Sequence, residues 1–335
     1  MNDAAYVPLP RFVQIEPVGQ CNLACTMCAI QFRHPDGARN PEAFLSYEAF
    51  CALVNGFGGI SELHLQGLGE PLMHPHFFRM VRYAAGRGIV VSTNSNLTML
   101  TPARAAQCVD SGLDAMHVSI DGASASVYER IRRGASFRKV VRNLGRLMAA
   151  RAEAASAKPR VRIVVVAMRM NLHELSGIVA LAHDHGVHDV FVQHLSHDFG
   201  EKALPPVYRP MRDFVSAETL LGADPKRVVQ CFEAARAKAT ELGVNLRLPP
   251  VEPGAEKHGP PGCDWPWRGA YVTYAGDALP CCMVSTADRM RMGNMLQDGV
   301  VAVWDNAAYR DLRRGLASNE PPHICRSCAV YNRTF

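Results

Sequence analysis

Cys21-Asn-Leu-Ala-Cys25-Thr-Met-Cys28 places three thiols within eight residues, directly after the apolar stretch Phe12–Ile15. Three thiolates are one short of the four that close a tetrahedral structural zinc site or saturate a four-iron cluster. A cluster held by three cysteines keeps one iron open to another ligand. The competing readings are a zinc knuckle with a distant fourth donor, or ordinary buried cysteines. The scaffold around the triplet decides between them.

A chain of 335 residues has room for one barrel-sized domain and a smaller one. Its 48% hydrophobic and 20% charged content is that of a soluble globular protein. No apolar stretch is long enough to span a bilayer, and the start MNDAAYVPLPRF lacks the layout of a secretory signal. The expected location is therefore the reducing cytoplasm, where eleven cysteines bind metal or act chemically. The net charge of +5 is modest, and residues such as Arg151, Arg160 and Arg169 are scattered rather than blocked. That argues against a nucleic-acid partner and at most suits docking of an acidic electron carrier.

From Arg11 to about Leu248 short β-rich runs alternate with helical patterns. The runs Phe12–Glu16, Glu62–Gln66, Ile89–Thr93, Ala115–Ile120, Arg162–Ala167 and Val190–His194 read as strands. Helical patterns fall around Tyr47–Asn55, Pro75–Arg87, Pro102–Ser111, Ala123–Arg132, Phe137–Arg151 and Leu172–His185, with Gly112 and Gly186 as stops. Alternation of this kind predicts parallel β/α units, six of them rather than the eight of a closed barrel. Residues Lys202–Arg212 read as a Pro-containing connection, followed by a helix over Lys226–Leu242 and a strand at Asn245–Leu248. The Pro- and Gly-rich stretch 249–262 reads as a linker, which divides the chain into 1–248, 249–262 and 263–335.

After the second strand comes Gly67-Leu-Gly69-Glu70-Pro71; Ser92-Thr93-Asn94 ends the third, and Ser119-Ile-Asp121-Gly122 follows the fourth. Tyr128-Glu-Arg-Ile-Arg132-Arg133-Gly134 comes next. A turn explains the first by itself and a helix cap explains Asp121, but strand C-terminal ends are where barrels place their active sites. Together with the triplet, these motifs resemble the radical S-adenosylmethionine (SAM) superfamily, with Leu68 and Ser95 standing where that family has glycine. The resemblance implies an α/β fold, a partial (β/α)6 TIM-like barrel with the triplet in the loop after its first strand. It also implies a 4Fe–4S cluster on Cys21, Cys25 and Cys28, whose open iron chelates SAM. Gly67, Gly69, Glu70 and Pro71 would receive the SAM ammonium, while Asn94 and Ser119 would bond its ribose or carboxylate. Arg132 would pair with the carboxylate, with Arg133 as the other candidate. Met27 departs from the aromatic residue common before the third cysteine. A flavodoxin or ferredoxin type electron donor is the implied partner.

The last eighty residues hold a second set, Cys263, Cys281, Cys282, Cys325 and Cys328. Ala270–Tyr274, a turn at Gly276-Asp277 and Pro280-Cys281 read as a β-hairpin, and Val300–Leu316 as a helix. The layout resembles the twitch domain, a shortened SPASM domain, and implies one auxiliary 4Fe–4S cluster; a four-cysteine zinc ribbon is the alternative. Cys263, Cys325 and Cys328 are three ligands. Cys281 fits the fourth position better than Cys282, and adjacent residues of a strand point in opposite directions. Cys51, Cys108 and Cys231 fall within apparent helices and read as buried small side chains.

The resemblance implies reductive cleavage of SAM to a 5′-deoxyadenosyl radical and hydrogen abstraction from a substrate. Loss of an electron from the substrate radical would end in dehydrogenation, whereas hydrogen return from Cys282 or Cys231 would end in epimerisation. Arg247, Gln193 and His194 are expected to face the same cavity. With no extra domain ahead of the barrel to hold a leader peptide, and a short second cluster domain, the first expectation is a small polar metabolite. A sugar, aminocyclitol or nucleoside in natural-product biosynthesis would qualify. Maturation of a ribosomally made peptide is the alternative, and a non-catalytic iron–sulfur or zinc scaffold is the reading from another class.

Overall fold

The computed structural model describes residues 7–32, 43–195, 199–251 and 262–333. Most of the expected linker, 252–261, lies outside them. The barrel portion runs β1 (Phe12–Ile15), α1 (Tyr47–Phe57), β2 (Glu62–Leu65), α2 (Phe77–Ala85), β3 (Val90–Ser95), α3 (Pro102–Asp110) and β4 (Ala115–Ser119). It continues with α4 (Ala125–Ile131), α5 (Phe137–Glu153), β5 (Arg160–Ala167), α6 (Leu175–Asp184), β6 (Asp189–His194), α7 (Arg209–Glu218), α8 (Pro225–Leu242) and β7 (Asn245–Arg247). The C-terminal portion holds α9 (Trp265–Arg268), β8 (Gly269–Val272), β9 (Asp277–Leu279), β10 (Gly293–Asn294), α10 (Val300–Trp304), α11 (Ala307–Ala317) and α12 (His323–Arg326).

All strands join one ten-stranded sheet in the order β10-β9-β8-β1-β2-β3-β4-β5-β6-β7. Strands β1 to β7 are parallel, with register pairs such as Phe12↔Glu62, Asn94↔His117 and Val166↔Gln193. The chain is thus an α/β protein built on a partial parallel barrel. Period-2 alternation gives the sheet two unlike faces. Val13, Leu63, Leu65, Val91, Met116, Val118, Ile163, Val165 and Val192 point outward and are buried against the helices. Gln14, His64, Gln66, Ser92, Asn94, His117 and Ser119 point inward. A closed barrel fills that space with branched aliphatics; here the interior is polar and opens upward into a cavity.

Local signals set the element ends. Ser46, Thr101 and Ser124 each accept a main-chain N–H from the first turn of their helix. Gly58, at φ 64°, closes α1 in the left-handed region. Two sequence expectations are corrected. The connection 202–212 contains the start of helix α7, because Pro210 sits in its first turn, where a missing N–H costs nothing. The helix expected over Val300–Leu316 is two, because Asn306 caps α11 through Tyr309 N–H (2.9 Å) and ties its amide to the Met292 carbonyl (2.6 Å).

The hairpin β8–β9 forms as expected, but it is not set apart from the barrel. Strand β8 pairs in parallel with β1, Phe12↔Gly269 to Ile15↔Val272. The Trp304 indole N–H reaches the Val7 and Pro8 carbonyls, both at 3.1 Å. A buried ion pair, Arg289 to Glu201 at 2.7 Å, ties the C-terminal portion to the segment after β6.

Candidate active site

The triplet loop hangs from the end of β1 and is pinned to the end of α4. Ala24 N–H donates to the Arg133 carbonyl (3.0 Å) and Thr26 N–H to the Ile131 carbonyl (2.9 Å). The Gln31 amide binds the Cys25 carbonyl from within the loop. All three thiols line one cavity of about 310 Å³ above the barrel interior. Burial pushes the Cys21 thiol up to about 12, with Glu70 and then the other two thiols adding to it. Burial also raises Cys25, against the pull of Arg132. Among the described residues no three His, Cys, Asp or Glu side chains are grouped as a single metal ion would require. The triplet instead offers three thiols around one open cavity, the donor set of a cluster with one free corner.

The Gly67–Pro71 turn forms the next wall. A Cβ on Gly67 would overlap the Glu16 carboxylate, which accepts Leu68 N–H at 2.8 Å; one on Gly69 would overlap the Val18 carbonyl. The glycines are therefore needed for close packing against β1 and its loop, as well as for lining the cavity. Glu70 is held firmly by the protein. Its carboxylate accepts Leu72 N–H (3.1 Å), Ser95 Oγ (2.7 Å) and Asn96 N–H (2.8 Å), and so braces the turn against the end of β3. Burial raises its pKa, opposed by the Asn96 hydrogen bond. Gly67, Gly69 and Glu70 reach the cavity, whereas Pro71 opens a buried 3-10 turn behind it.

Asn94, Ser119 and Arg132 line the cavity together. Asp121 does not cap the following helix; Ser124 does. Asp121, fully buried, accepts Arg132 Nε at 2.6 Å and Val166 N–H at 2.8 Å, and aims the guanidinium so that Nη1 lies 3.9 Å from Cys25 Sγ. Of the two arginines, Arg132 lines the cavity and Arg133 is exposed. Sequence reasoning passed over Gln66, Ser95 and Asn96. Asn96 donates to Asn22 Oδ1 (3.2 Å) and stands 3.7 Å from Cys21 Sγ. Gln66 was legible from strand alternation, two residues after inward-facing His64.

The catalytic guesses divide. Cys282 lines the cavity, and so does Gln193. His194 points the other way, as strand alternation requires, and is buried with Nε2 on the Pro250 carbonyl at 2.8 Å. Arg247 pairs with Phe191 on the face that Gln193 also presents, its guanidinium 5.8 Å above the Phe191 ring, but it is exposed at the sheet edge and is not among the residues that line the cavity. Cys231 packs against the helical core.

The second set converges as well. Burial pushes the Cys325 thiol up to about 12, with Cys328 and Cys263 adding to it. Burial raises Cys281 far more, followed by Cys282, Cys328 and Cys325. These thiols are near enough to raise one another's pKa, and four thiols such as Cys263, Cys281, Cys325 and Cys328 are a donor set that fits a saturated cluster. The adjacent Cys282 turns to the cavity instead.

A polar-walled mouth over a partial parallel barrel, with three thiols on one side and four behind, is the build of an iron–sulfur radical enzyme. The chain belongs to the radical SAM superfamily, whose model matches residues 15–182, and an iron–sulfur cluster-binding (SPASM) domain matches residues 263–329. Its cofactors are therefore SAM, a 4Fe–4S cluster that binds it, and auxiliary 4Fe–4S chemistry in the C-terminal portion. The mycofactocin maturase MftC of Mycobacterium ulcerans is 26% identical over 93% of this chain and 78% of its own. PqqA peptide cyclase of Rhizobium meliloti is 25% identical over 95% and 79%. Streptococcus suis SuiB bound to its precursor peptide SuiA shares the fold at a TM-score of 0.67 and 14% identity, covering 97% of this chain and 71% of that one. No helix among the described residues is long and apolar enough to cross a membrane.

Proposed function

We propose that this enzyme is a maturase of a ribosomally made peptide, in place of the small polar metabolite expected first. The observation that carries this reading is the far wall of the cavity. Opposite the polar groups of β1 to β4, the described lining is Leu195, Phe199, Met211 and Met283, with only Gln193, Cys282 and Ser285 to offer polar atoms. Leu195, Phe199 and Met211 belong to a separate apolar cluster with Met27 and Leu68 at its edge. A sugar or aminocyclitol buried there would leave hydroxyls without partners, at about 1–3 kcal/mol each. An apolar or aromatic side chain of a peptide fills the same space at no such cost. The relatives lend support: one is named a peptide cyclase, and a fold neighbour holds a precursor peptide.

A 4Fe–4S cluster held by Cys21, Cys25 and Cys28 would, once reduced, supply the electron for SAM cleavage and so the radical chemistry that removes a hydrogen atom from the substrate. This chain's own residues do the rest. Arg132, held by Asp121, meets the SAM carboxylate; Asn94 and Ser119 orient the nucleoside end; the apolar wall excludes water from the substrate carbon. Cys282 is the thiol nearest that wall. Its S–H hydrogen atom passes to the substrate radical, and one electron from a flavodoxin or ferredoxin type donor, with one proton, restores the thiol. The outcome is epimerisation.

The test is anaerobic turnover of reconstituted enzyme with short peptides encoded beside its gene, against a panel of sugars, aminocyclitols and nucleosides. The expected result is 5′-deoxyadenosine formation stimulated by a peptide, with solvent deuterium entering that peptide at one carbon. Stimulation by a small metabolite alone overturns the substrate class. Loss of two hydrogens from the peptide, with no deuterium gained, overturns the role of Cys282 and restores dehydrogenation.

A further inference from the structure

Below the cavity lies a floor of inward-facing side chains that the chemistry above leaves unused. Gln14 donates through Nε2 to the main-chain carbonyl of Gln66 (3.0 Å) and to Gln66 Oε1 (3.0 Å). A main-chain carbonyl only accepts, so the Gln14 nitrogen is the donor in both bonds, and the Gln66 oxygen is turned down to it. The Gln66 amide nitrogen then points up, to the Gly67 carbonyl at the cavity wall. One strand further along, His117 Nδ1 lies 3.0 Å from Asn94 Oδ1. An amide oxygen only accepts, so Nδ1 carries the hydrogen of the neutral ring and donates it to Asn94. Asn94 also has its oxygen down and its NH2 up. Between them His64 Nδ1 meets Ser92 Oγ at 2.8 Å, its ring 6.0 Å from that of His117.

We propose that His117 and Gln14 are positioning residues that set the polarity of the SAM end of the cavity. They hold Asn94 and Gln66 with amide N–H donors facing upward, so that the site selects acceptor atoms, the carboxylate and ribose oxygens of SAM. Burial keeps His117 neutral, its pKa pushed down to about 4, so the donor does not change character near neutral pH. The inference concerns cofactor binding and stands whichever substrate occupies the far wall.

The experiment measures the SAM dissociation constant by equilibrium dialysis on cluster-loaded protein, with iron content as the check on loading. His117→Leu is expected to weaken SAM about tenfold, the effect of one lost orienting bond. His117→Asn, which places an amide donor near the Nδ1 position, stays within about threefold of the parent. His117→Asp offers only acceptors there, turns the Asn94 amide over, and weakens SAM at least as much as the leucine; it decides the matter should His117→Leu not fold. In an Asn94→Ala background His117→Leu adds nothing further, because the two act through one amide. Equal losses from His117→Leu and His117→Asn overturn the proposal, as do additive losses in the double variant or parent-like affinity of His117→Asp. Gln14→Leu gives the parallel loss for Gln66, and parent-like SAM affinity in that variant overturns its half of the proposal.

Discussion

The two cysteine sets are built from the same donors and do opposite things. Cys21, Cys25 and Cys28 sit on an irregular loop, pinned by main-chain bonds to the end of α4 and by the side chains of Gln31 and Asn96, and all three line a cavity. Cys263, Cys281, Cys325 and Cys328 come from a hairpin, its flank and a short helix, and none of them lines that cavity. The first set leaves room for a ligand; the second lies behind it. The difference lies less in thiol number than in what stands beside the thiols. Arg132, Asn96 and the Gly67–Glu70 turn surround the first set, whereas the ring of Tyr309 and the chain of the hairpin surround the second.

The largest expected effect breaks the first set alone. A Cys21/Cys25/Cys28→Ala variant should lose 5′-deoxyadenosine formation to background while its iron falls from roughly eight to about four per chain, the content of one remaining four-iron cluster. Iron falling to zero would merge the two sites into one. Next comes the contrast within the second set. Cys281→Ala should lose about four irons, whereas Cys282→Ala keeps all of them, still cleaves SAM, and no longer introduces solvent deuterium. Identical iron loss in both variants would return Cys282 to the ligand list.

The smallest effect concerns what lies under the first set and not the second. Burial pushes His64 and His117 down to about 4, from an ordinary value near 6.5. The unfolded chain therefore binds more protons between those values, so the stability from the neutral rings is complete above about pH 6.5 and lost as pH falls towards 4. From pH 7 to pH 5 each contributes a loss of up to about 2 kcal/mol. Urea midpoints at those two pH values should move apart in the parent chain and draw together in a His64→Gln/His117→Asn variant. The C-terminal portion holds a single histidine, the exposed His323, and should not share the effect.

Much of this was legible because the barrel repeats one rule. Strand alternation and helix stops located the seven parallel strands to within about two residues, and each motif fell at a strand end where the sheet opens. What escaped did so for identifiable reasons. His194 and Gln193 were both given to the cavity although neighbours on a strand cannot share a face. Arg247 is on the expected face of the sheet but on its short edge strand β7, where it is exposed and does not line the cavity. Glu70 lines the cavity, and three donors from two segments also converge on its carboxylate, a convergence that sequence does not record. The apolar far wall comes from the end of β6, from α7 and from the C-terminal portion; no local pattern links these, so the substrate class could not be read in advance.

The pairing of β8 with β1 carries a mechanical consequence. Adjacent strands are held about 4.8 Å apart by their ladder, and here that ladder joins the strand that launches the first thiol loop to the hairpin that carries Cys281. A displacement of that hairpin is therefore carried to the first thiol loop through the sheet itself, as two rungs of one ladder.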